Sequence, residues 1–158
     1  MLSDKGPLNN LIPTFAKLNH PVWDEIAPRG GGPGFLPTEF EQPEKMDVHF
    51  LRLLYKARII AKVPFRVLDS VRKDPFSAHG EEPCCAVDLQ VLTSYERSRV
   101  VRAAYFVGFV RVGIYPGSDG EYKGKTKRDG GGVHLDASRT KPQDHLWTLK
   151  IRKKEEAK

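Results

Sequence analysis

A segment bounded by two prolines constrains the fold of this chain more than any other feature. Pro43 suits the first turn of a helix, and Pro64 stops one. Glu44 and Asp47 place negative charge at the positive amino-terminal end of that helix. The sequence therefore predicts one long amphipathic helix over residues 43–63. Its apolar side chains share a sector of about 120°: Met46, Phe50, Leu53, Leu54, Ala57, Ile60 and Ala61.

The opposite face of the predicted helix is cationic. Such a face is either solvated or in contact with nucleic-acid phosphates. Residues 66–73 are also rich in cations and predict a short second helix that ends before Pro75. Over residues 52–73 seven cations accompany one anion, which favours a polyanionic partner. The candidate RNA-binding residues on the long helix are Arg52, Lys56, Arg58 and Lys62.

Residues 1–42 are predicted to form an extended Pro/Gly-rich arm. Prolines recur along the whole segment, and the glycine-rich run 29–34 excludes a helix or strand interior there. A disordered linker seldom carries many large apolar side chains, so we expect those of the arm to bind a partner protein. A flap folded back on the chain's own domain is the alternative. The side chains in question are Phe15, Trp23, Ile26, Phe35 and Phe40.

The second half of the chain adds predicted strands and a further helix. Residues 84–115 complete a folded core that spans 43–115. Partial alternation of apolar side chains predicts a strand over 85–92. A Thr-x-x-Glu capping box at residue 93 predicts a helix over 94–104. The β-branched and aromatic residues that follow predict a strand over 105–115.

Residues 116–158 are predicted to form a basic hairpin and tail. Between residues 121 and 154 ten cations accompany four anions, and short strands are expected at 133–135 and 146–151. Gly124-Lys125-Thr126 matches the end of a phosphate-binding loop, but the residues after it cannot open a helix, so we reject a nucleotide site. The candidate RNA-binding residues here are Lys123, Lys125, Lys127, Arg128, Arg152, Lys153 and Lys154.

These segments together predict an α+β fold. We expect an extended N-terminal arm, one long amphipathic helix, a small antiparallel sheet and a basic C-terminal tail. No apolar run approaches the roughly 20 residues that a transmembrane helix needs, and we expect no transmembrane segment.

The cysteines and histidines predict no metal site and no catalytic site. Cys84 and Cys85 are the only cysteines, and adjacent cysteines rarely bridge each other, so a reducing compartment is expected. No two of the five histidines have metal-ligand spacing. A mixed site of His79 with the two thiols is conceivable, but two small buried side chains are the simpler interpretation. We therefore expect no cofactor, no small-molecule substrate and no enzyme activity.

The net charge of +6 and the pI of about 9.4 are typical of a chain with polyanionic partners. Pro21-Val22-Trp23-Asp24 within a Pro-rich lead, followed by the cation-rich helix from His49 to Lys62, resembles the layout of accessory proteins of the mitochondrial ribosome. That resemblance covers about a third of the chain and implies a structural subunit that contacts rRNA and neighbouring proteins. It also implies the mitochondrial matrix, with the cytoplasm as the alternative location.

Two other functional interpretations stay open. One is a protein-binding accessory subunit of an organellar multiprotein complex of the respiratory type, which the acidic arm favours. The other is a small enzyme whose pocket is assembled from residues distant in sequence, which we rank third.

Overall fold

The computed structural model describes residues 6–115, 131–143 and 145–148. The fold is α+β, with three α-helices and one five-stranded mixed sheet. The helices are α1 (Val22–Glu25), α2 (Val48–Ala61) and α3 (Ser94–Val107). The strands are β1 (Arg66–Asp69), β2 (Ala86–Gln90), β3 (Arg111–Tyr115), β4 (Gly132–Asp136) and β5 (His145–Thr148).

The sheet has the strand order β1-β2-β4-β3-β5 and is not purely antiparallel as predicted. The pairs β1–β2, β2–β4 and β4–β3 are antiparallel, whereas β5 runs parallel to β3. After β4 the chain reverses direction and passes to the far side of β3, so its next strand must run parallel to β3. A sequence pattern fixes which residues form strands but not which neighbour each strand takes.

The predicted long helix over 43–63 is shorter in the structure, where α2 spans Val48–Ala61, and it is not the only long helix, because α3 has the same length. Both α2 and α3 have 14 residues, and they pack against each other. The first residues of the predicted long helix, Pro43–Lys45, form a separate 3-10 turn. Helix α2 begins only after Asp47, whose carboxylate accepts hydrogen bonds from the amides of His49 and Phe50. The basic tail lies outside the described residues.

The predicted short helix over 66–73 is wrong, because residues 66–69 form β1. Val67 is buried next to the free edge of β2, and it pairs with Leu89. Pairing with an available strand edge outweighed the weak helical pattern. The strand predicted over 85–92 and the helix predicted over 94–104 are confirmed as β2 and α3, although α3 continues to Val107. The strand predicted over 105–115 begins only at Arg111, as β3.

Residues 6–42 pack against the rest of the domain. Trp23, Phe35 and Phe40 join Phe65 in one aromatic cluster, with neighbouring ring centroids 5.7–6.0 Å apart. Ile26 is buried as well, whereas Phe15 is 40% exposed. Four of the five side chains that we assigned to a partner protein thus lie in the chain's own core, as the flap alternative expects. Within the described residues, no helix combines the length and apolar character needed to cross a bilayer.

Replacing Phe35 in the arm should unfold the domain as readily as a core mutation. Phe35 is fully buried, so Phe35→Ala should lower the free energy of unfolding by about 3–5 kcal/mol. Its neighbour Leu36 is 48% exposed, and Leu36→Ala should change the free energy by no more than about 0.5 kcal/mol. Urea denaturation of both variants measures the difference. Equal small effects would mean that the arm is not part of the core.

Candidate metal centre

The register of the sheet aligns a row of polar and aromatic residues across four strands. Asp88 on β2 pairs with His134 on β4, and His134 also pairs with Gly113 on β3. Gly113 in turn pairs with Trp147 on β5. Because side chains alternate along a strand, these residues share one face of the sheet, and the apolar residues between them point to the other face.

Gly113 is required where it stands. A β-carbon at this position would lie 2.6 Å from the indole of Trp147, which folds across the gap. The indole thereby reaches His134, with ring centroids 5.2 Å apart. The missing side chain of Gly113 lets Trp147 form a wall beside His134.

His79 reaches the same face from the loop that precedes β2. It lies in a 3-10 turn, Ala78–Gly80, whose first residues are held by Ser77 accepting from the amide of His79. The His79 ring is fully buried, and its Nδ1 is hydrogen-bonded to the carbonyl oxygen of Ser70. The remaining ring nitrogen, Nε2, faces the sheet.

Three side chains converge at this point: His79, Asp88 and His134. His79 Nε2 lies 3.3 Å from His134 Nδ1 and 3.4 Å from Asp88 Oδ2. His134 Nδ1 lies 2.8 Å from Asp88 Oδ1. All of the candidate ligand atoms fall within 4.8 Å of one another.

The outer hydrogen bonds determine which ring nitrogens carry protons. The carbonyl oxygen of Ser70 can only accept, so Nδ1 of His79 carries a hydrogen. His134 Nε2 lies 2.9 Å from the carboxylate of Asp136 and donates to it. Both inner nitrogens of the neutral rings therefore present lone pairs to each other and to the Asp88 carboxylate. Three acceptors at these distances need a shared cation, either a proton or a metal ion.

The ionisable side chains of this cluster shift one another's pKa values through their hydrogen bonds. Burial opposes the charged forms, but the hydrogen bonds among these groups outweigh it. The pKa of His134 is raised by Asp136 and Asp88, and that of Asp88 is lowered by its hydrogen bond with His134. In the metal-free chain a proton on His134 Nδ1 accounts for the short 2.8 Å contact with Asp88.

Asp136 anchors the outer side of the cluster. Its Oδ1 accepts from Arg111 Nε at 2.7 Å and from the amide of Ser138 at 3.1 Å. Burial raises the pKa of Asp136, but His134 and Arg111 together hold it below its usual value. Asp136 is therefore ionised and fixes both the tautomer and the orientation of His134, as a carboxylate does behind a metal-bound histidine.

The three donors fit a zinc ion. Two imidazoles and one carboxylate form a common catalytic zinc set, in which a fourth position stays open. Zinc bonds of about 2.0–2.1 Å in tetrahedral geometry place ligand atoms about 3.3–3.4 Å apart. The two separations from His79 Nε2, 3.3 Å to His134 Nδ1 and 3.4 Å to Asp88 Oδ2, have this length, whereas His134 Nδ1 lies 2.8 Å from the other carboxylate oxygen, Oδ1.

His134 and Asp136 border a cavity, whereas His79 and Asp88 are not among the residues that line it. The cavity has a volume of about 230 Å³ and is also lined by Arg72, Arg111 and Lys141. Trp147 and Tyr115 complete its walls, and the Tyr115 hydroxyl lies 3.2 Å from Asp88 Oδ1. The site thus combines a candidate metal centre with positive charge and aromatic surface.

The sequence analysis did not find this cluster because its members are far apart in the chain. His79 and Asp88 are nine positions apart, and His134 follows 46 positions later, so no local spacing links them. The available sequence pattern was His134-x-Asp136. The strand was predicted only over 133–135, and its extension to Asp136 places the two polar side chains on one face. We expected no metal site because we considered only histidines that lie close together in the sequence.

The cysteines next to the site are not among the converging ligands. Cys84 and Cys85 are both buried, and burial raises the pKa of Cys84 to about 12 and also raises that of Cys85. Both thiols are therefore protonated at neutral pH.

The four candidate RNA-binding residues that the structure describes do not lie at this site. Arg52 makes a bidentate ion pair with Glu25 at 2.6 and 2.8 Å, and Arg58 lies over the Phe35 ring and 3.4 Å from Glu39. Lys56 and Lys62 are exposed. The remaining candidates lie outside the described residues: Lys123, Lys125, Lys127, Arg128, Arg152, Lys153 and Lys154.

Comparisons of this chain with family models, with curated proteins and with solved structures give no match.

We expect the chain to bind one zinc ion at the cluster. His79→Ala and Asp88→Asn each remove a donor and should weaken zinc affinity by at least about 100-fold. His49→Ala, on helix α2, is the matched control and should leave the affinity unchanged. Competition with a chromogenic chelator measures the dissociation constant. Equal affinities in all three variants would place the zinc elsewhere.

Zinc affinity should also decrease as the pH is lowered. The raised pKa of His134 keeps a proton on the ring in the metal-free chain, and zinc must displace it. Below that pKa the affinity should drop by about tenfold for each pH unit, because one proton is released per ion bound. Chelator competition between about pH 8 and pH 5.5 measures the slope. A flat dependence would contradict the assignment of Nδ1 as the ligand atom.

Proposed function

We propose that this chain is a zinc-dependent hydrolase that cleaves an amide bond in a peptide substrate bearing an anionic group. The observation that carries the proposal is the convergence of His79, Asp88 and His134 beside a cavity with a cationic rim. This proposal departs from the expectation of a non-catalytic subunit.

The ligand set supports a single-metal carbonyl hydrolase. Phosphoryl-transfer sites commonly hold two metals about 3.5–4 Å apart. Among the described residues, one converging group of three ligands is present. A zinc ion bound there would polarise the scissile carbonyl and lower the pKa of its water to about 7.

The protein side chains would stabilise the negative charge that develops during attack. When water adds to the carbonyl carbon, the carbonyl oxygen becomes an oxyanion; the C–N bond then breaks and the leaving nitrogen takes a proton. Lys141 and Arg72 line the cavity that borders His134, and Arg72 is also paired with Asp69 at 2.9 Å. Arg111 is held in place by Asp136, and it lies 5.5 Å from the Trp147 ring. The same cations would attract an anionic group of the substrate.

Non-haem iron oxygenases use the same two-histidine, one-carboxylate donor types. The tetrahedral separations and the cation-lined cavity favour zinc and hydrolysis instead. Loading the purified chain with Zn²⁺ and, separately, with Fe²⁺ therefore distinguishes a zinc hydrolase from an iron oxygenase.

A mixture of synthetic peptides, with free and with amidated carboxyl ends, tests the proposed activity. We expect the zinc-loaded chain to generate new fragments detected by mass spectrometry, and Asp88→Asn to abolish them. His49→Ala should retain the activity, and chelation followed by added zinc should remove and restore it. If the zinc-loaded chain cleaves no peptide in a mixture that includes acidic sequences, the hydrolase proposal fails.

The ribonucleoprotein role and its mitochondrial location stay predictions, as does the alternative of an accessory subunit in a multiprotein complex. On helix α2, Arg52 and Arg58 already pair with carboxylates of the arm. Lys56 and Lys62 are the exposed cations of that face to which an RNA contact would fall.

A further inference from the structure

The loop that carries His79 is tied to the segment behind β4 by one carboxylate. Glu81 follows His79 by two residues, and its Oε1 accepts from the hydroxyls of Ser138 and, at 2.7 Å, Thr140. Its Oε2 accepts from the amide of Arg139 at 3.4 Å. These donors come immediately after β4, which supplies His134 and Asp136.

We infer that Glu81 is a positioning residue of the metal centre, which fixes the His79 loop against the strand that carries the other histidine. The inference rests on the proposed metal centre. Asp88 and His134 are cross-strand partners, so the backbone ladder sets their separation. His79 belongs to a loop outside this ladder. The Arg72 amide donates to the His79 carbonyl oxygen at 3.2 Å, and side-chain contacts of the loop add to that backbone bond.

The segment that Glu81 holds is itself anchored. The guanidinium of Arg139 donates to Asp47 Oδ2 at 3.2 Å and to the carbonyl oxygen of Leu8 at 3.3 Å. Asp47 also caps helix α2, so this connection runs from the helix through Arg139 to the Glu81 carboxylate. A loop tied to a fixed segment can hold a ligand to within the few tenths of an ångström that a metal requires.

Cys85 adds a further hydrogen-bond donor to the Glu81 carboxylate. The thiol donates to Glu81 Oε2 at 3.3 Å, and its pKa is raised by burial and by the Glu81 charge. A protonated thiol, two hydroxyls and a backbone amide are all donors, so the site is built for a carboxylate. Glu81 does not belong to the converging ligand group of the described residues, and its role is therefore indirect.

Zinc affinity separates a positioning role from a merely structural one. Glu81→Gln keeps the shape of the side chain but turns one acceptor into a donor that faces other donors. We expect it to weaken zinc binding by about 10–100-fold, as is usual for residues that orient metal ligands. Glu82→Gln is the matched control, because Glu82 is adjacent, its side chain is 65% exposed and its ion pair among the described residues is a 3.9 Å contact with Lys45.

The measurement is chelator competition at a temperature where circular dichroism shows each variant folded. Thr140→Val, which removes one exposed donor, is the second variant should Glu81→Gln fail to fold, and we expect a loss of several-fold. If the folded Glu81→Gln variant binds zinc within twofold of the wild type, the inference is overturned and the metal centre stands. If Glu81→Gln does not fold, an unchanged zinc affinity of Thr140→Val overturns the inference in the same way. A wild-type chain that binds no zinc would overturn both.

Discussion

The pairing register of β2, β4 and β3 is the constraint on which the rest of the site depends. It places Asp88, His134 and Gly113 side by side, and two residues along the strands it places Arg111 beside Asp136. Because side chains alternate with a period of two, a slip of one residue would turn His134 into the apolar core and Leu135 outward. The buried valines and leucines between the polar positions resist that slip, so the same alternation that forms the core also holds the site residues in place.

Acidic residues of the arm pair with basic residues of helix α2, which explains the opposite charges of the two segments. Glu25 and Glu39, both from the arm, pair with Arg52 and Arg58 of helix α2, and Arg58 also donates to the carbonyl oxygen of Gly34. Such exposed pairs contribute little individually. The aromatic cluster that they border contributes far more, because Phe35 and Phe40 are removed from water. At these positions the opposite charges of the arm and of helix α2 therefore pair with each other inside the chain.

Local patterns predicted the elements better than their arrangement. The capping box before Ser94 and the left-handed Gly108 that ends α3 are short-range features, and the helix between them was predicted. The parallel placement of β5 and the strand at 66–69 depend on which edge was free, a long-range property. The candidate site was missed for the same reason: His79, Asp88 and His134 meet only after the sheet has formed.

The buried charges of the site favour a metal centre over a purely structural network. Asp136 is balanced by Arg111, and breaking a buried pair of this kind costs about 3–5 kcal/mol. Asp88 and the two inner nitrogens have no comparable cationic side chain among their described contacts, and in the metal-free chain they share a proton. Burying a carboxylate against two histidines is an expensive way to stabilise a small sheet, since apolar residues of similar volume would do so at lower cost. The arrangement becomes favourable when a divalent ion replaces the proton, because one ion then satisfies all three donors.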